Sequence, residues 1–244
     1  MVTSKQNTLI KKIRSLADKK NRDQTGEYLV EGVKLVREAI ELKLPVSVIV
    51  GTQKGLFGID TLDIRTETVT EEVFESISQE KSPQGVIAVV KKPENKVISP
   101  NGISLLLDGV ADPANTGAII RTAAAAGYNV VYMTEDCADA YSPKSVRASM
   151  SGVFRVNIIR ASRQQLLDVI DIPIIVADMD GENMFKTQIQ GCYCLVIGNE
   201  GHGVSSEIRA HAKKTVKIPM ENGMESLNAA VSAGLLMYGL KENK

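Results

Sequence analysis

The feature that most constrains the fold lies in the last third of the chain, where two short apolar runs each end in a glycine-containing turn. Leu195–Ile197 is followed by the sequence GNEG at 198–201, and Val216–Ile218 is followed by a break at Asn222-Gly223. Short apolar runs that stop at such turns are typical of buried strands. Ser226 then stands where the N-cap of a small-residue apolar helix is expected. Because ligands of α/β sheets bind beyond the carboxyl ends of the strands, the two turns are predicted to expose backbone groups to one ligand.

Strand and helix patterns alternate through the rest of the second half of the chain. The turn at Asp112-Pro113 precedes a helix that Asn115 or Thr116 is expected to cap and that Gly127 is expected to end. Alternation of this kind predicts a parallel sheet with helices on both faces. The predicted strands cover residues 103–107, 130–133, 153–159, 174–177, 193–197 and 216–218, and the other predicted helices lie near 145–149 and 164–170.

The first part of the chain has the pattern of a smaller α/β unit. A basic helix is predicted over residues 4–20, because its apolar residues recur at helical spacing. The segment 91–102, KKPENKVISPNG, is polar and contains two prolines and one glycine, so it is predicted to link two domains, residues 1–95 and 96–244. The remaining predicted elements are strands at 28–30, 46–50 and 86–90 and helices at 33–42 and 71–78.

Charge is informative only locally. The chain has 29 Lys and Arg and 29 Asp and Glu, so its net charge predicts no polyanionic partner. Residues 1–22, however, contain seven basic side chains, among them Lys11, Lys12 and Arg14, against the single acid Asp18. A basic helix of this kind can contact nucleic-acid phosphates, although a solvated helix surface explains the same pattern.

Membrane, disulfide and metal patterns are absent from the sequence. No apolar run approaches the roughly 20 residues that span a bilayer, and no secretory signal is visible, so a cytoplasmic protein is expected. Three cysteines, Cys137, Cys192 and Cys194, predict no disulfide framework. Cys192 and Cys194 are predicted to share one face of a strand, but two sulfurs make a poor metal site, so core positions are expected and no metal is predicted.

Three sequence motifs resemble those of the SpoU (TrmH-type) RNA ribose 2′-O-methyltransferases, which belong to the SPOUT class. They are LLLDGVADPANTGAIIRTA, GNEGHGVS and IPMENGMESLN, and they occur in this order. The resemblance implies a parallel α/β sheet whose C-terminal segment forms a deep trefoil knot around S-adenosylmethionine, and it implies a homodimer. The stretch LVEGVKLVREAI is similar to the kink-turn-binding ribosomal protein fold, which implies an N-terminal RNA-binding domain.

The resemblance also implies roles for individual residues. The implied catalytic residues are Asn115, Arg121, Glu200, Ser226 and Asn228. The implied S-adenosylmethionine site involves Gly198, Ile218, Met220 and Leu227. The expected RNA contacts are Arg147, by resemblance, and the basic residues Lys11, Lys12 and Arg14.

The residues themselves leave several of these roles open. Asn115 can be only a helix cap, and Glu200 can orient Asn115 or Arg121 or cap backbone amides. Arg121 is not expected to act as a base, because a guanidinium has a pKa above ~12, and a bidentate grip on a phosphate suits it better. His202 is the histidine nearest the motifs and has the chemistry of a general base, but the family motif does not require it.

The motifs predict transfer of a methyl group from S-adenosylmethionine to a ribose 2′-hydroxyl of structured RNA, with large-subunit ribosomal RNA as the expected target. The alternatives are a transfer-RNA methyltransferase, an antibiotic-resistance methyltransferase and a non-catalytic ribosome-assembly factor. An ordinary Rossmann enzyme is disfavoured, because no glycine-rich fingerprint follows the predicted strand at 103–107.

Overall fold

The N-terminal part of the chain forms a small mixed sheet. The structure, a computed structural model, describes residues 1–61, 63–224 and 226–242. β4 is antiparallel to both β1 and β2, so β1 and β2 run in the same direction and end at the same edge of the sheet, where β4 begins. The strands, in the spatial order β1-β4-β2-β3, are Glu27–Glu31 (β1), Val46–Gly51 (β2), Thr66–Thr68 (β3) and Val86–Lys91 (β4).

Helices cover both faces of this first sheet. Ile10 and Leu29 belong to a core on one face, and Val30 and Leu35 belong to a larger core on the other. Successive strand residues enter different cores because side chains alternate across a strand. The helices are α1 (Thr8–Ser15), α2 (Lys19–Thr25), α3 (Val33–Glu41), α4 (Gln53–Leu56) and α5 (Glu71–Glu75).

The predicted single helix over residues 4–20 is wrong, because the chain divides it into α1 and α2. The break follows Leu16, whose side chain is fully buried. Arg22 of α2 turns back and donates from Nη1 to the carbonyl of Leu16 at 2.8 Å and to that of Ala17 at 2.6 Å. The carbonyl groups freed at the end of α1 are therefore satisfied by a side chain, which makes the break stable.

The second sheet is parallel throughout, as predicted. Among the described residues it has six strands in the order β10-β8-β9-β5-β6-β7. The strands are Ser104–Asp108 (β5), Val130–Thr134 (β6), Asn157–Ala161 (β7), Ile174–Asn183 (β8), Cys194–Gly198 (β9) and Ala212–Lys217 (β10). The helices are Pro113–Ala125 (α6), Pro143–Ser149 (α7), Arg163–Val169 (α8), Ser206–Arg209 (α9) and Ala229–Glu242 (α10).

Helices lie on both faces of the second sheet, which confirms the predicted layering. Leu166 of α8 and Ile208 of α9 belong to one core, and Ile119 of α6 and Leu236 of α10 belong to the core on the other face. β5 and β6 are buried along their whole length, as strands covered on both sides require.

The predicted strand at 153–159 begins later than expected. Met150–Phe154 is a 3₁₀ helix, and β7 begins at Asn157. Gly152 in that helix lies against α6, where an added Cβ would come within 2.7 Å of the Cα of Arg121. The first residues of the predicted strand are therefore part of a 3₁₀ helix that packs closely on α6, a contact that the sequence pattern does not reveal.

β8 and β10 are both longer than predicted. β8 continues to Asn183, and β10 begins at Ala212. A first stretch of pairing joins residues 212–215 to residues 174–176 and contains one register shift; after another shift, a second stretch joins Val216 and Lys217 to Glu182 and Asn183. Gly181 lies so close to β10 that an added Cβ would be 2.6 Å from the backbone nitrogen of Val216. The second stretch of pairing therefore depends on this glycine.

The segment between the two sheets is anchored to the second sheet. Asn95 donates from Nδ2 to the carbonyl of Arg160 and accepts from its N–H, both at 2.9 Å, so its side chain pairs with the edge strand β7. Arg22, which is 2% exposed, forms an ion pair with Asp139 at 2.6 Å. Because the two sheets also share the larger core, these contacts hold the N-terminal part in a fixed position on the second sheet.

Two of the three cysteines are buried as expected. Cys137 and Cys194 lie in the core, whereas Cys192 is exposed, so the core prediction for Cys192 is wrong. β9 begins only at Cys194, and Cys192 therefore lies in the preceding loop instead of on a strand face.

Candidate active site

Side chains from three separate segments form one chain of hydrogen bonds beside β5 and β9. Asn115 donates from Nδ2 to Glu200 Oε1 at 2.8 Å, and Asn228 donates from Nδ2 to Asn115 Oδ1 at 2.9 Å. Asn228 Oδ1 accepts from the N–H groups of Ala230 at 2.9 Å and Val231 at 3.3 Å. Because Asn115 uses its amide nitrogen toward Glu200 and its amide oxygen toward Asn228, its orientation is fixed from both sides.

The N-terminus of α6 leaves the Asn115 side chain free for this role. Asp112 caps the helix, since its Oδ1 accepts from the N–H groups of Ala114 at 2.7 Å and Asn115 at 3.0 Å. The expectation that Asn115 or Thr116 is the cap is therefore wrong. Pro113 at the first helical position shifts the start of the helix to just after Asp112.

The cap of α10 also differs from the sequence expectation. α10 begins at Ala229, and Asn228 accepts the two hydrogen bonds from the first turn. Ser226, expected to be the N-cap, is exposed two residues earlier. Asn228 therefore both caps α10 and holds Asn115, and the start of this helix is positioned against the start of α6.

Glu200 is held as a carboxylate. Oε2 accepts from the N–H of Ala111 at 3.2 Å, and Oε1 accepts from the N–H of Asp112 at 3.4 Å. Partial burial raises the pKa of Glu200, but the hydrogen bonds from Asn115 and from the backbone outweigh burial and lower the pKa below its usual value. The site therefore carries a fixed negative charge at neutral pH.

A buried carboxylate beneath the site fixes the loop that carries Glu200. Asp108, at the end of β5, has a side chain with 0% exposure. It accepts from Arg163 Nε at 2.8 Å and from the N–H of Ser205 at 2.7 Å. Arg163 also pairs with Asp136 at 2.6 Å. Asp108 was not among the site residues predicted from the sequence. The one feature that could have indicated it is its position directly after the apolar run LLL of a predicted strand.

The loop itself is tightly closed. Asn199 and Gly203 exchange backbone hydrogen bonds at 3.0 and 2.9 Å, and Asn199 Nδ2 donates to the carbonyl of Gly109 at 2.7 Å. A Cβ on Gly198 would overlap the backbone of Gly203. Gly198 is therefore required by the close approach of the two ends of the loop.

Arg121 lies on α6 but outside the hydrogen-bonded chain. It is exposed, and within the described part of the chain its side chain makes no hydrogen bond or ion pair. Six residues after Asn115, it lies about a third of a turn around the helix. The structure thus leaves its guanidinium available to a ligand.

Of the expected cofactor residues, Gly198 ends β9, and Ile218, Met220 and Leu227 lie between β10 and α10. Ile218 is packed against the larger core, Met220 is half-buried and Leu227 is 37% exposed. Met224, in the same loop, is also an exposed apolar side chain. The segment that carries these apolar side chains is joined to the carboxylate of Glu200 through Asn228 and Asn115. Apolar side chains and a carboxylate suit a ligand that combines a planar apolar ring with a positive charge, which is the chemistry of S-adenosylmethionine.

His202 is exposed in the same loop as Glu200. Its backbone N–H donates to Asn199 Oδ1 at 3.1 Å, and its imidazole makes no hydrogen bond within the part of the chain that is described. A general base is normally oriented by a second group, and none is seen for His202 here.

The expected RNA-contacting residues are mostly engaged within the protein. Lys12 pairs with Glu27 at 2.5 Å, Arg14 donates to the Ser76 hydroxyl at 2.9 Å, and Arg147 pairs with Glu80. The remaining one, Lys11, is exposed on α1.

Clusters of metal-ligand residues and helices that could span a membrane were both sought among the described residues. They contain no group of three or more His, Cys, Asp or Glu that could hold a metal ion. They also contain no helix of the length and apolar character needed to cross a membrane.

Two family models match separate parts of the sequence. Residues 102–238 match the model described as SpoU rRNA Methylase family. Residues 7–88 match the model described as MRM3-like substrate binding domain. The first match covers all the residues of the hydrogen-bonded chain.

Similar proteins cover nearly the whole sequence. The 23S rRNA (guanosine(2553)-2′-O)-methyltransferase RlmP of Bacillus subtilis is 29% identical, over 98% of this chain and 98% of its own. A putative RNA methyltransferase of the TrmH family from Porphyromonas gingivalis superposes with a TM-score of 0.86 at 32% identity, over 100% of both chains. An AdoMet-bound rRNA methyltransferase from Sinorhizobium meliloti superposes with a TM-score of 0.89 at 29% identity, over 99% of this chain and 97% of its own.

Proposed function

The chain belongs to the SpoU rRNA methylase family, and we propose that it methylates a ribose 2′-hydroxyl in a structured region of large-subunit ribosomal RNA. It is an S-adenosylmethionine-dependent RNA 2′-O-methyltransferase, as its similarity to such enzymes over nearly its whole length shows. The observation that carries the proposal is the hydrogen-bonded chain of Glu200, Asn115 and Asn228, which joins all three sequence motifs at one place.

The donor is expected to bind in the loops after β9 and β10. Gly198, Ile218 and Leu227 supply backbone groups, and Met220 packs against the adenine. S-adenosylmethionine carries its methyl group on a sulfonium, which is already reactive, so the protein supplies position and charge. The fixed carboxylate of Glu200 complements the positive charge of the donor.

The acceptor ribose is expected between Arg121 and the hydrogen-bonded chain. The side chain of Arg121 is exposed and makes no hydrogen bond or ion pair within the described chain, so it is available to grip the neighbouring phosphate. Asn115, oriented by Glu200 and Asn228, and Ser226 hold the ribose so that its 2′-oxygen faces the donor. Alignment of the two reacting groups is the main contribution of such a site to the rate.

The C-terminal segment is proposed to form a trefoil knot. Its path supports this arrangement, since β9 lies inside the sheet, β10 lies at the edge beyond β8, and the chain then returns so that Asn228 contacts Asn115 and α10 packs on the core with α6. Tracing the chain in a crystal structure tests the proposal, and a C-terminal segment that passes through no loop contradicts it.

A homodimer is proposed from the surface of α10. Val231, Leu235 and Tyr238 are 51%, 44% and 48% exposed and are spaced by four and three residues, so they form one apolar stripe. A second copy of the chain that packs on this stripe would remove it from water and bring two active sites together.

The N-terminal domain, residues 1–95, is proposed to hold the RNA, and residues 96–244 to carry the methyltransferase. Lys11, Lys12, Arg14 and Arg147 are the RNA contacts first expected, and a cytoplasmic enzyme stays part of the proposal. The match of residues 7–88 to a substrate binding domain supports this division.

Mapping of ribose methylation tests the proposed function. Ribosomal and transfer RNA from cells with and without the protein are compared nucleotide by nucleotide, and one 2′-O-methyl group in large-subunit rRNA is expected to disappear. Loss of a transfer-RNA methyl group instead identifies a tRNA enzyme. A protein that binds RNA without affinity for labelled S-adenosylmethionine is an assembly factor.

A further inference from the structure

Phe57 is the most exposed large apolar side chain in the described part of the chain. Its side chain is 86% exposed, in the turn after α4. An aromatic ring that stays exposed to water does not gain the free energy of burial. Single exposed apolar side chains are common on protein surfaces, so exposure by itself does not indicate a function. The Phe57 ring is therefore not part of the described core, and the residues around its turn are the guide to what it could bind.

The turn that carries Phe57 is rigid. The N–H of Thr52 donates to the carbonyl of Gly85 at 2.8 Å, and Thr52 Oγ1 accepts from the N–H of Gly55 at 3.0 Å. Gly55 touches the backbone of Gly85 so closely that a Cβ there would overlap it. On the other side, Arg37 Nη2 donates to the carbonyl of Gly58 at 3.0 Å. The ring is thus held in the solvent by a fixed backbone.

Phe57 follows β2 and the short helix α4, at one edge of the first sheet. β1 and β2 end at this edge and β4 begins there, and we call the segments 31–37, 51–58 and 78–85 the aromatic edge. Gln84 accepts from the N–H of Val33 at 2.8 Å, which joins two of the segments. Glu80 pairs with Arg147 of α7, so the aromatic edge reaches the second domain beside α6, against which α7 packs.

The aromatic edge is positively charged. It contains Lys34, Arg37, Lys54 and Lys81 and only two acids, Glu31 and Glu80. Both acids are engaged, Glu31 with Ser78 and the N–H of Gln79, and Glu80 with Arg147. A surface that combines an exposed aromatic ring with lysine and arginine residues is typical of proteins that bind single-stranded RNA, by stacking on a base and pairing with phosphates.

We propose that Phe57 is a stacking platform for an unpaired nucleobase of the RNA substrate. The inference rests on the proposed function. It adds that the N-terminal domain recognises a base that is displaced from an RNA helix. Lys34, Lys54 and Lys81 contact the phosphates on either side of that base. The ring belongs to the turn after α4, whereas the basic residues first expected to contact RNA in this domain lie on α1.

The test compares the rRNA affinity of wild type, Phe57→Ala and Phe57→Trp. The probe is an in vitro transcript of bacterial large-subunit rRNA, with a perfect RNA duplex as the second probe. Phe57→Ala is expected to weaken binding of the transcript by between about 5-fold and about 100-fold, the usual worth of one stacked base. Phe57→Trp keeps the affinity, because it keeps the ring. Binding of the duplex and of S-adenosylmethionine is unchanged in both variants.

Phe185→Ala is the matched control, because Phe185 is 63% exposed on the second domain. Phe57→Ala with wild-type affinity for the transcript overturns the inference, and intact methyl transfer in the same variant leaves the proposed function standing. A wild-type protein that transfers no methyl group to any RNA overturns the proposed function itself. A change in self-association with unchanged rRNA affinity makes Phe57 a protein contact and also overturns the inference.

Discussion

Asn228 donates a hydrogen bond to the side chain of Asn115 at 2.9 Å, across 113 residues of sequence. The contact joins the start of α10 to the start of α6, and through Asn115 it reaches Glu200. Asn228 thus has two roles in one side chain, since its oxygen caps α10 and its nitrogen orients Asn115.

The two roles of Asn228 can be separated by substitution. Asn228→Ala removes both, and we expect a loss of about 1 kcal/mol in the free energy of unfolding, the typical worth of a cap, together with a large loss of methyl transfer. Asn228→Asp keeps the capping oxygen but cannot donate to Asn115, so its stability should match wild type while its turnover falls. Urea unfolding and single-turnover methylation measure the two effects. Equal activity of Asn228→Asp and wild type contradicts the orienting role.

Arg121→Ala should abolish methyl transfer and leave affinity for S-adenosylmethionine within a few-fold, because Arg121 is expected to hold the RNA phosphate and not the donor. Calorimetric titration with the donor and methylation of rRNA measure these quantities. Arg155→Ala, which removes another exposed arginine that follows the 3₁₀ helix packed on Arg121, is the matched control. An unchanged rate in Arg121→Ala removes Arg121 from the site.

The sequence predicted the order and type of most elements in the second domain because its strands are short apolar runs separated by glycine, proline and polar turns. It placed Asn115, Glu200 and Asn228 in one site only through the family resemblance. No spacing rule relates residues 113 positions apart, so the hydrogen bonds between them depend on tertiary packing.

The errors have a common physical cause. The cap of α6 is Asp112 and not Asn115, and the first turn of α10 is capped by Asn228 and not by Ser226. Each cap depends on where neighbouring elements allow the helix to begin. Asp108 was not singled out, because an acid at the end of a strand has many possible roles. Its importance becomes visible only when Arg163 and Ser205 are seen on either side of it.

Asp108→Ala should strongly destabilise the protein. The substitution leaves the Arg163 guanidinium and the Ser205 N–H without their buried acceptor, and breaking a buried ion pair typically costs about 3–5 kcal/mol. Asp136→Asn removes the other partner of Arg163, but Asp136 is 53% exposed, so a loss below about 1 kcal/mol is expected. Unfolding in urea compares the two. A similar small loss in both variants contradicts the anchoring role of Asp108.

The stability contributed by Glu200 should depend on pH with a defined sign. The pKa of Glu200 is lower in the folded protein than the usual value of about 4.3. The fold therefore stabilises the deprotonated form of Glu200. Its contribution to the free energy of unfolding is complete above the pKa of the unfolded state and is lost as pH falls through the pKa of the folded state. The difference in urea midpoint between wild type and Glu200→Gln should be constant from neutral pH to mildly acidic pH and shrink below it. A difference that grows on acidification contradicts the lowered pKa.

Leu235→Lys should separate the proposed dimer. Leu235 lies in the middle of the exposed apolar stripe of α10, between Val231 and Tyr238, and a lysine there would place a charge inside an interface that is otherwise apolar. Because Leu235 is 44% exposed in the single chain, the substitution should leave the fold of each chain intact. Analytical ultracentrifugation measures the mass, with Leu42→Lys, at an apolar side chain that is 39% exposed on the N-terminal domain, as the control. A monomeric wild-type protein contradicts the proposed dimer, and a Leu235→Lys variant that stays dimeric places the interface on another surface.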